Sequence, residues 1–330
     1  MRVFLTHNPE DREAYYGRAL PQLEAVADVV RNPLARDLTT PELIAAARDA
    51  DVIVAHRSTP GEAAVFAELP DLKAFLRCAV DISTIDVDAA SAHGVVIARA
   101  DKSFVASTAE LALGLMIDAA RNISSSTHDY RVGSEPLQRP GRQIRGQVAG
   151  IIGYGSIGSY LADLLVGLGM KVVVHDPFVE VDRPGIEAIG FHELLAAADV
   201  VFPLAPAGPS TENLIGRNEL AAMKRGATLV NVSRGELLDE VAVMAALDDG
   251  SLGSLAMDVG RAPDQRPSPE LAAHPRAIAT PHLGGLTPEN ADAQAASSVQ
   301  QVSAILAGAM PPRAVNPEAA HRLRAHWNQQ

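Results

Sequence analysis

Short apolar runs alternate with stretches of helical periodicity along most of the chain. RVFLTH, DVVRN, DVIVAHRS, LKAFLRCAV and GVVIAR are rich in β-branched and aromatic residues, and stretches such as PEDREAYYGRALPQLEAVA and TPELIAAARDA separate them. This rhythm predicts a parallel sheet with helices on its faces. Ser107 to Arg121 then reads as a long helix, apolar nearly all round, the pattern of a helix buried between two domains. From Asn122 to Gln147 the chain turns polar, with Pro136, Pro140 and the arginines 131, 139, 142 and 145. That composition predicts a linker or an arm reaching onto a partner subunit. The rhythm returns at Val148 and continues through KVVVHD, GIEAIG, DVVFPL, ATLVNVS, SLAMDV and AIATPH, six runs that predict a doubly wound sheet. Thr287 and Pro288 then open a helix, as a capping residue with proline behind it does. This helix is expected to carry the chain back to the first domain, making that domain discontinuous.

Between the first two runs of the second half lies G-Y-G-S-I-G, whose glycines are Gly153, Gly155 and Gly158. Following a strand and opening a helix, each has its own task. Gly153 makes the tight turn, Gly155 lets backbone approach a pyrophosphate, and Gly158 lets the helix pack against the strand. The helix starts near Ser156, so the free N–H groups of Ser156 and Ile157 face the anion. Asp176 ends the next run at the interval of about 20 residues where an acid accepts from the adenosine ribose and repels a 2′-phosphate. The expected cofactor is NAD rather than NADP. The predicted fold is α/β with two doubly wound parallel sheets. A Rossmann-type NAD domain at residues 101–289, with its arm at 122–147, is inserted into a flavodoxin-like substrate domain formed by 1–100 and 290–330.

Composition narrows the function further. The formal net charge of −12 argues against a nucleic-acid or anionic-membrane surface, which needs an excess of Lys and Arg. A small-molecule substrate is the expected partner, and no metal is expected. Cys78 is the only cysteine, so no intrachain disulfide forms. MRVFLTHNPE lacks the basic start and apolar core of a signal peptide, and no apolar stretch approaches the roughly 20 residues that span a bilayer. The expected location is the cytoplasm.

Three further stretches carry a resemblance: V-N-V-S-R-G-E-L-L-D-E at 230 to 240, M-D-V at 257 to 259 and T-P-H-L-G-G at 280 to 285. With I-R-G-Q-V-A-G-I-I-G before the glycine turn and S-T-A-E at 107 to 110, they resemble the D-isomer-specific 2-hydroxyacid dehydrogenases over nearly the whole chain. The resemblance implies that Arg234 grips the substrate's carboxylate and carbonyl and that His282 exchanges the proton. The chemistry agrees: reducing a 2-keto acid needs a hydride, a cation for the carboxylate and an acid beside the carbonyl oxygen. By the same resemblance Asp258 lies near the nicotinamide amide. Val80, Ala205, Pro206, Val232, Ser233 and Gly284, with Arg234 and His282, are expected along the cofactor. Arg57, Ser58, Asp81 and Arg99 mark the loops expected to set substrate specificity, in a cleft between the two domains. A homodimer is expected.

Two positions depart from the family pattern. Ala79-Val80-Asp81 stands where the family's G-V-G loop is expected, and Ser83-Thr84 replaces the acid-amide pair after it. A carboxylate near a bound carboxylate repels it, so Asp81 is expected to select against small monocarboxylates. Pro263 stands where the family has the glutamate partner of the histidine. The expected substitute is Asp264, fixing the ring of His282, ahead of Gln265 and Glu270. The reading is thus an NAD-dependent enzyme interconverting a 2-keto acid and a D-2-hydroxy acid. The alternatives are a dinucleotide-sensing corepressor-like protein and a formate or phosphite dehydrogenase on the same fold.

Overall fold

The structure, a computed structural model, describes residues 1–329 and divides into two compact units. Unit 1 comprises Met1–Ser103 and the chain from Thr287 onward; unit 2 is Phe104–Leu286.

Unit 1 holds β1 (Arg2–Leu5), β2 (Asp28–Arg31), β3 (Val52–Ala55), β4 (Ala74–Arg77) and β5 (Val96–Arg99). All pair in parallel in the order β2-β1-β3-β4-β5, the flavodoxin-like order. The central strand β3 is continuously apolar and wholly buried because both of its faces are covered. Val3, Leu5, Val52, Val54 and Leu76 pack on one face with Val299, Val302 and Ile305 of the helix Pro288–Leu306. Phe4, Ile53, Phe75 and Ile97 pack on the other with Leu43, Val65 and Phe66. The Asn290 N–H donates to the Thr287 hydroxyl (3.3 Å) and Pro288 sits in the first turn, so the returning helix begins where its sequence directs. A segment distant in sequence thus closes the core of the first sheet.

Unit 2 holds β6 (Val148–Ile152), β7 (Lys171–His175), β8 (Ile186–Ala188), β9 (Val200–Pro203), β10 (Ala227–Asn231), β11 (Leu252–Met257) and β12 (Ala277–Ala279). They form one parallel sheet in the order β12-β11-β10-β9-β6-β7-β8. The six runs after the glycine turn are all strands, and β6 itself makes the seventh. The order reverses between β6 and β9, the switch point where open α/β sheets take ligands. The helix Val105–Arg121 contributes Ala109, Ala112, Leu115 and Met116 to the core it shares with Leu161, Ala162 and Leu165 of the helix Ser156–Gly167.

The polar segment begins where Asn122, left-handed at φ 56°, breaks the long helix. A second helix, Ile123–Arg131, buries none of its residues. The chain after it is tied back where the Arg142 N–H donates to the Ala120 carbonyl (2.8 Å). Ile123, Tyr130, Val132 and Leu137 stay exposed along it. Among the described residues no helix is long and apolar enough to cross a membrane.

Candidate active site

The glycine turn follows β6 in unit 2. Gly153 has φ 98°, and a Cβ there would lie 2.7 Å from the Ala205 nitrogen, so the turn passes flush against the loop after β9. A Cβ on Gly158 would fall 2.2 Å from the Gly153 carbonyl oxygen, which only glycine avoids. At Gly155 a Cβ would meet nothing within 4 Å, leaving space above the turn. The helix Ser156–Gly167 points its first-turn N–H groups, including those of Ser156 and Ile157, toward that space. Asp176 follows β7. Its Oδ2 accepts from the Tyr154 N–H (2.7 Å) and its Oδ1 from the Phe178 N–H (2.9 Å), so this acid joins the β7 loop to the glycine turn. Each oxygen keeps a second lone pair for a ribose hydroxyl.

The loop after β10 is folded by Asn231, fully buried, whose Nδ2 donates to the Arg234 carbonyl (2.8 Å) and whose Oδ1 accepts from the Ser233 N–H (3.1 Å). The Ser233 hydroxyl donates to the Ala205 carbonyl (3.0 Å), tying this loop to the one after β9, where Ala205 is buried beside Pro206. Val232 is buried, and Arg234 projects, exposed, its Nη1 donating to the neighbouring Ser233 carbonyl (2.8 Å). A Cβ on Gly235 would come within 2.2 Å of the Gly260 carbonyl carbon. The arginine loop and the loop after β11 therefore touch backbone to backbone.

Asp258, at the end of β11, is 1% exposed. Its Oδ1 accepts from the Thr280 hydroxyl (2.6 Å) and the Leu283 N–H (2.7 Å), its Oδ2 from the Gly284 N–H (2.7 Å), and its carbonyl from the His282 N–H (2.9 Å). This buried acid shapes the 280–284 turn and holds His282 left-handed, at φ 62°. A Cβ on Gly284 would lie 3.1 Å from Asp258 Oδ2, so the turn packs closely on this carboxylate.

His282 Nδ1 lies 2.9 Å from an oxygen of Asp264, and that oxygen is the main-chain carbonyl. The expectation of a side-chain carboxylate partner is corrected accordingly. The Asp264 side chain is 74% exposed and faces Arg266 at 3.9 Å. Asp264 (φ 59°) and Gln265 (φ 57°) are both left-handed, which swings the carbonyl of Asp264 toward the ring. Glu270 is exposed in the short helix Pro269–Ala272. Since a carbonyl only accepts, Nδ1 carries the hydrogen and Nε2 is the nitrogen that gains and loses a proton. Asp264→Asn is expected to change keto-acid reduction by less than about twofold, as an exposed substitution that asparagine tolerates in this backbone conformation. A pH–rate profile displaced from the parent's would instead show the carboxylate acting on the ring.

Arg261 was not singled out by sequence. Its Nη2 donates to Glu212 Oε1 (2.7 Å) and reaches Asn213 Oδ1 (2.8 Å) and the carbonyls of Glu236 (3.0 Å) and Leu238 (3.2 Å). It staples the loop after β11 to the segment after Arg234, and no motif spacing announces it.

In unit 1, Arg57 and Ser58 are exposed in the loop after β3. Arg77, fully buried at the end of β4, donates to the carbonyls of His56, Arg57 (2.6 Å) and Thr59 (2.7 Å) and to the Thr84 hydroxyl (3.0 Å). Burial pulls its guanidinium down to about 10, still a cation at neutral pH. It sets the shape of the Arg57–Ser58 loop, and sequence alone gave no sign of it. Asp81 is exposed and its Oδ1 accepts from the Ser83 N–H (2.9 Å), while Val80 before it is half-buried. Arg99 is exposed at the end of β5. Asp11, Asp37 and His56 also converge within 4.8 Å, but the Asn8 amide donates to Asp11 (2.6 Å) and reaches Asp37 (3.5 Å), already bridging the acids.

Residues 113–284, more than half of the chain, match the model of the D-isomer specific 2-hydroxyacid dehydrogenase NAD-binding domain, and the chain belongs to that family. It is 33% identical over 303 residues to the D-3-phosphoglycerate dehydrogenase of Methanocaldococcus jannaschii, covering 90% of this chain and 57% of that protein. It is 36% identical over 281 residues to the enzyme of that name from Mycobacterium leprae, covering 83% of this chain and 53% of that one. The chain thus spans little more than half the length of these curated relatives. The apo-structure of D-lactate dehydrogenase from Escherichia coli superposes with a TM-score of 0.82 at 25% identity, covering 96% of this chain and 100% of that one. The cofactor is NAD, and the open space at Gly155, the helix start behind it and the acid at Asp176 fit a dinucleotide without a 2′-phosphate. Asp176→Ala is expected to weaken NADH binding roughly tenfold or more, the worth of a hydrogen bond to a charged group, while sparing NADPH. Fluorescence titration with both nucleotides checks it, and equal losses would leave Asp176 as a former of the turn only.

Proposed function

We propose that the protein is an NAD-dependent dehydrogenase that interconverts a 2-keto acid and a D-2-hydroxy acid. The observation that carries this reading is the His282 turn: a buried acid shapes it, and a carbonyl fixes the ring with Nε2 as its proton-exchanging atom. Arg234 projects from a loop whose neighbour, Gly235, touches the loop that holds His282. When bound, the reduced cofactor supplies the hydride. Protonated His282 delivers its Nε2 proton to the carbonyl oxygen, and the planar guanidinium of Arg234 holds the substrate carboxylate through paired hydrogen bonds. In the oxidative direction neutral Nε2 takes the proton from the hydroxyl.

The corepressor-like reading and the formate or phosphite reading are not favoured, since the relatives named above are phosphoglycerate and lactate dehydrogenases. NADH oxidation measured against a panel of 2-keto acids tests the proposal; no turnover with any member would overturn it.

Arg57, Ser58 and Asp81 are the proposed specificity determinants, in a loop shaped by Arg77 and a turn capped by Asp81 itself. In the same panel, Asp81→Gly should raise kcat/KM for glyoxylate or pyruvate, because removing a carboxylate relieves repulsion of another. Unchanged values would confine Asp81 to its turn. The apolar side chains left exposed at Ile123, Tyr130, Val132 and Leu137 support a homodimer formed through the 122–147 arm, a state that sedimentation velocity reads directly. A cytoplasmic location accords with this metabolic role.

A further inference from the structure

We propose that Phe178 is the stacking platform for the adenine ring of the bound dinucleotide. Phe178 is 94% exposed, and no large apolar side chain among the described residues is more so. A phenyl ring left in water forgoes the free energy of burial, so a flat apolar ligand surface is a favourable cover. Its backbone is nonetheless held firmly. Pro177 restricts the chain before it, and the Phe178 N–H donates to Asp176 Oδ1 (2.9 Å). The other oxygen of the same carboxylate accepts from Tyr154 in the glycine turn (2.7 Å), so the ring's anchor point is registered to the phosphate-binding loop.

The chemistry of the cofactor supplies the rest. The acid that accepts from the adenosine ribose hydroxyls lies one sugar away from the purine, which is bonded to the adjacent ribose carbon. A side chain two residues past that acid is therefore within reach of the base. Phenylalanine offers a π-face and no hydrogen-bonding group, so it holds the ring by stacking, which is worth about a tenfold change in affinity or more per base.

Binding of truncated nucleotides to the full chain tests this without turnover. Phe178→Ser should weaken both NADH and ADP-ribose roughly tenfold or more. It should leave reduced nicotinamide mononucleotide, which lacks adenine, unaffected, with the apo melting temperature unchanged. Phe178→Trp should restore affinity and add an indole emission that ADP-ribose quenches and the mononucleotide does not. Parent-like ADP-ribose affinity in Phe178→Ser would overturn the proposal. So would an equal loss for all three ligands, or no adenine-dependent quenching in Phe178→Trp.

Discussion

Replacing His282 with alanine should lower the turnover of keto-acid reduction by about 10²-fold or more, the usual share of a positioned general acid. NADH affinity should stay close to the parent's. The glycine turn and Asp176 lie at the ends of β6 and β7, and neither has a hydrogen bond to the imidazole. The turn itself should survive, because its shape comes from main-chain N–H groups held by Asp258, which alanine retains. Alanine in the left-handed conformation of residue 282 costs some strain, so a small drop in stability is expected alongside. Stopped-flow reduction and NADH titration separate the two effects. A lost NADH affinity with unchanged turnover at saturation would make His282 a structural residue.

The second large effect is expected at Asp258. Its two oxygens take three hydrogen bonds from the 280–284 segment while the residue is almost entirely out of water. In Asp258→Asn one oxygen position becomes an NH2 group and must face the N–H of Leu283 or Gly284, donor against donor. Losing charge-assisted bonds and stranding a buried donor costs about 3 kcal/mol of stability. The same change loosens the turn that carries His282, so turnover should fall with the urea midpoint. A variant that keeps its midpoint and turns over like the parent would remove Asp258 from this role. One that loses stability at full turnover would show that proton transfer does not depend on the turn.

The pattern of apolar runs was sufficient for both sheets, because a parallel strand covered on two faces has to be continuously apolar, and helices must separate it from the next. The glycine turn was equally legible. Gly153 and Gly158 obey local steric demands, one a left-handed φ and the other a backbone contact at 2.2 Å, which only one residue type satisfies. Arg234 and His282 stand as site candidates through the stretches that surround them. The partner of His282 was not legible: Asp264 was named, but for its carboxylate, whereas the contact uses its carbonyl.

Every residue owns a carbonyl, so a hydrogen bond made through one leaves no mark on residue type. Asp258 likewise stood in a recognised motif, yet its grip on the 280–284 turn depends on where β11 and β12 end relative to each other. Arg77 spends its guanidinium largely on carbonyls of another loop, Arg261 divides its own between carbonyls and the side chains of Glu212 and Asn213, and the approach of Gly235 to Gly260 joins two loops separated by a strand. Local sequence determined the strands, the turns and which side chains could do chemistry. Only the tertiary structure decided which backbone atoms hold those side chains, because that depends on loops meeting at the edge of a sheet whose strand order the sequence does not spell out.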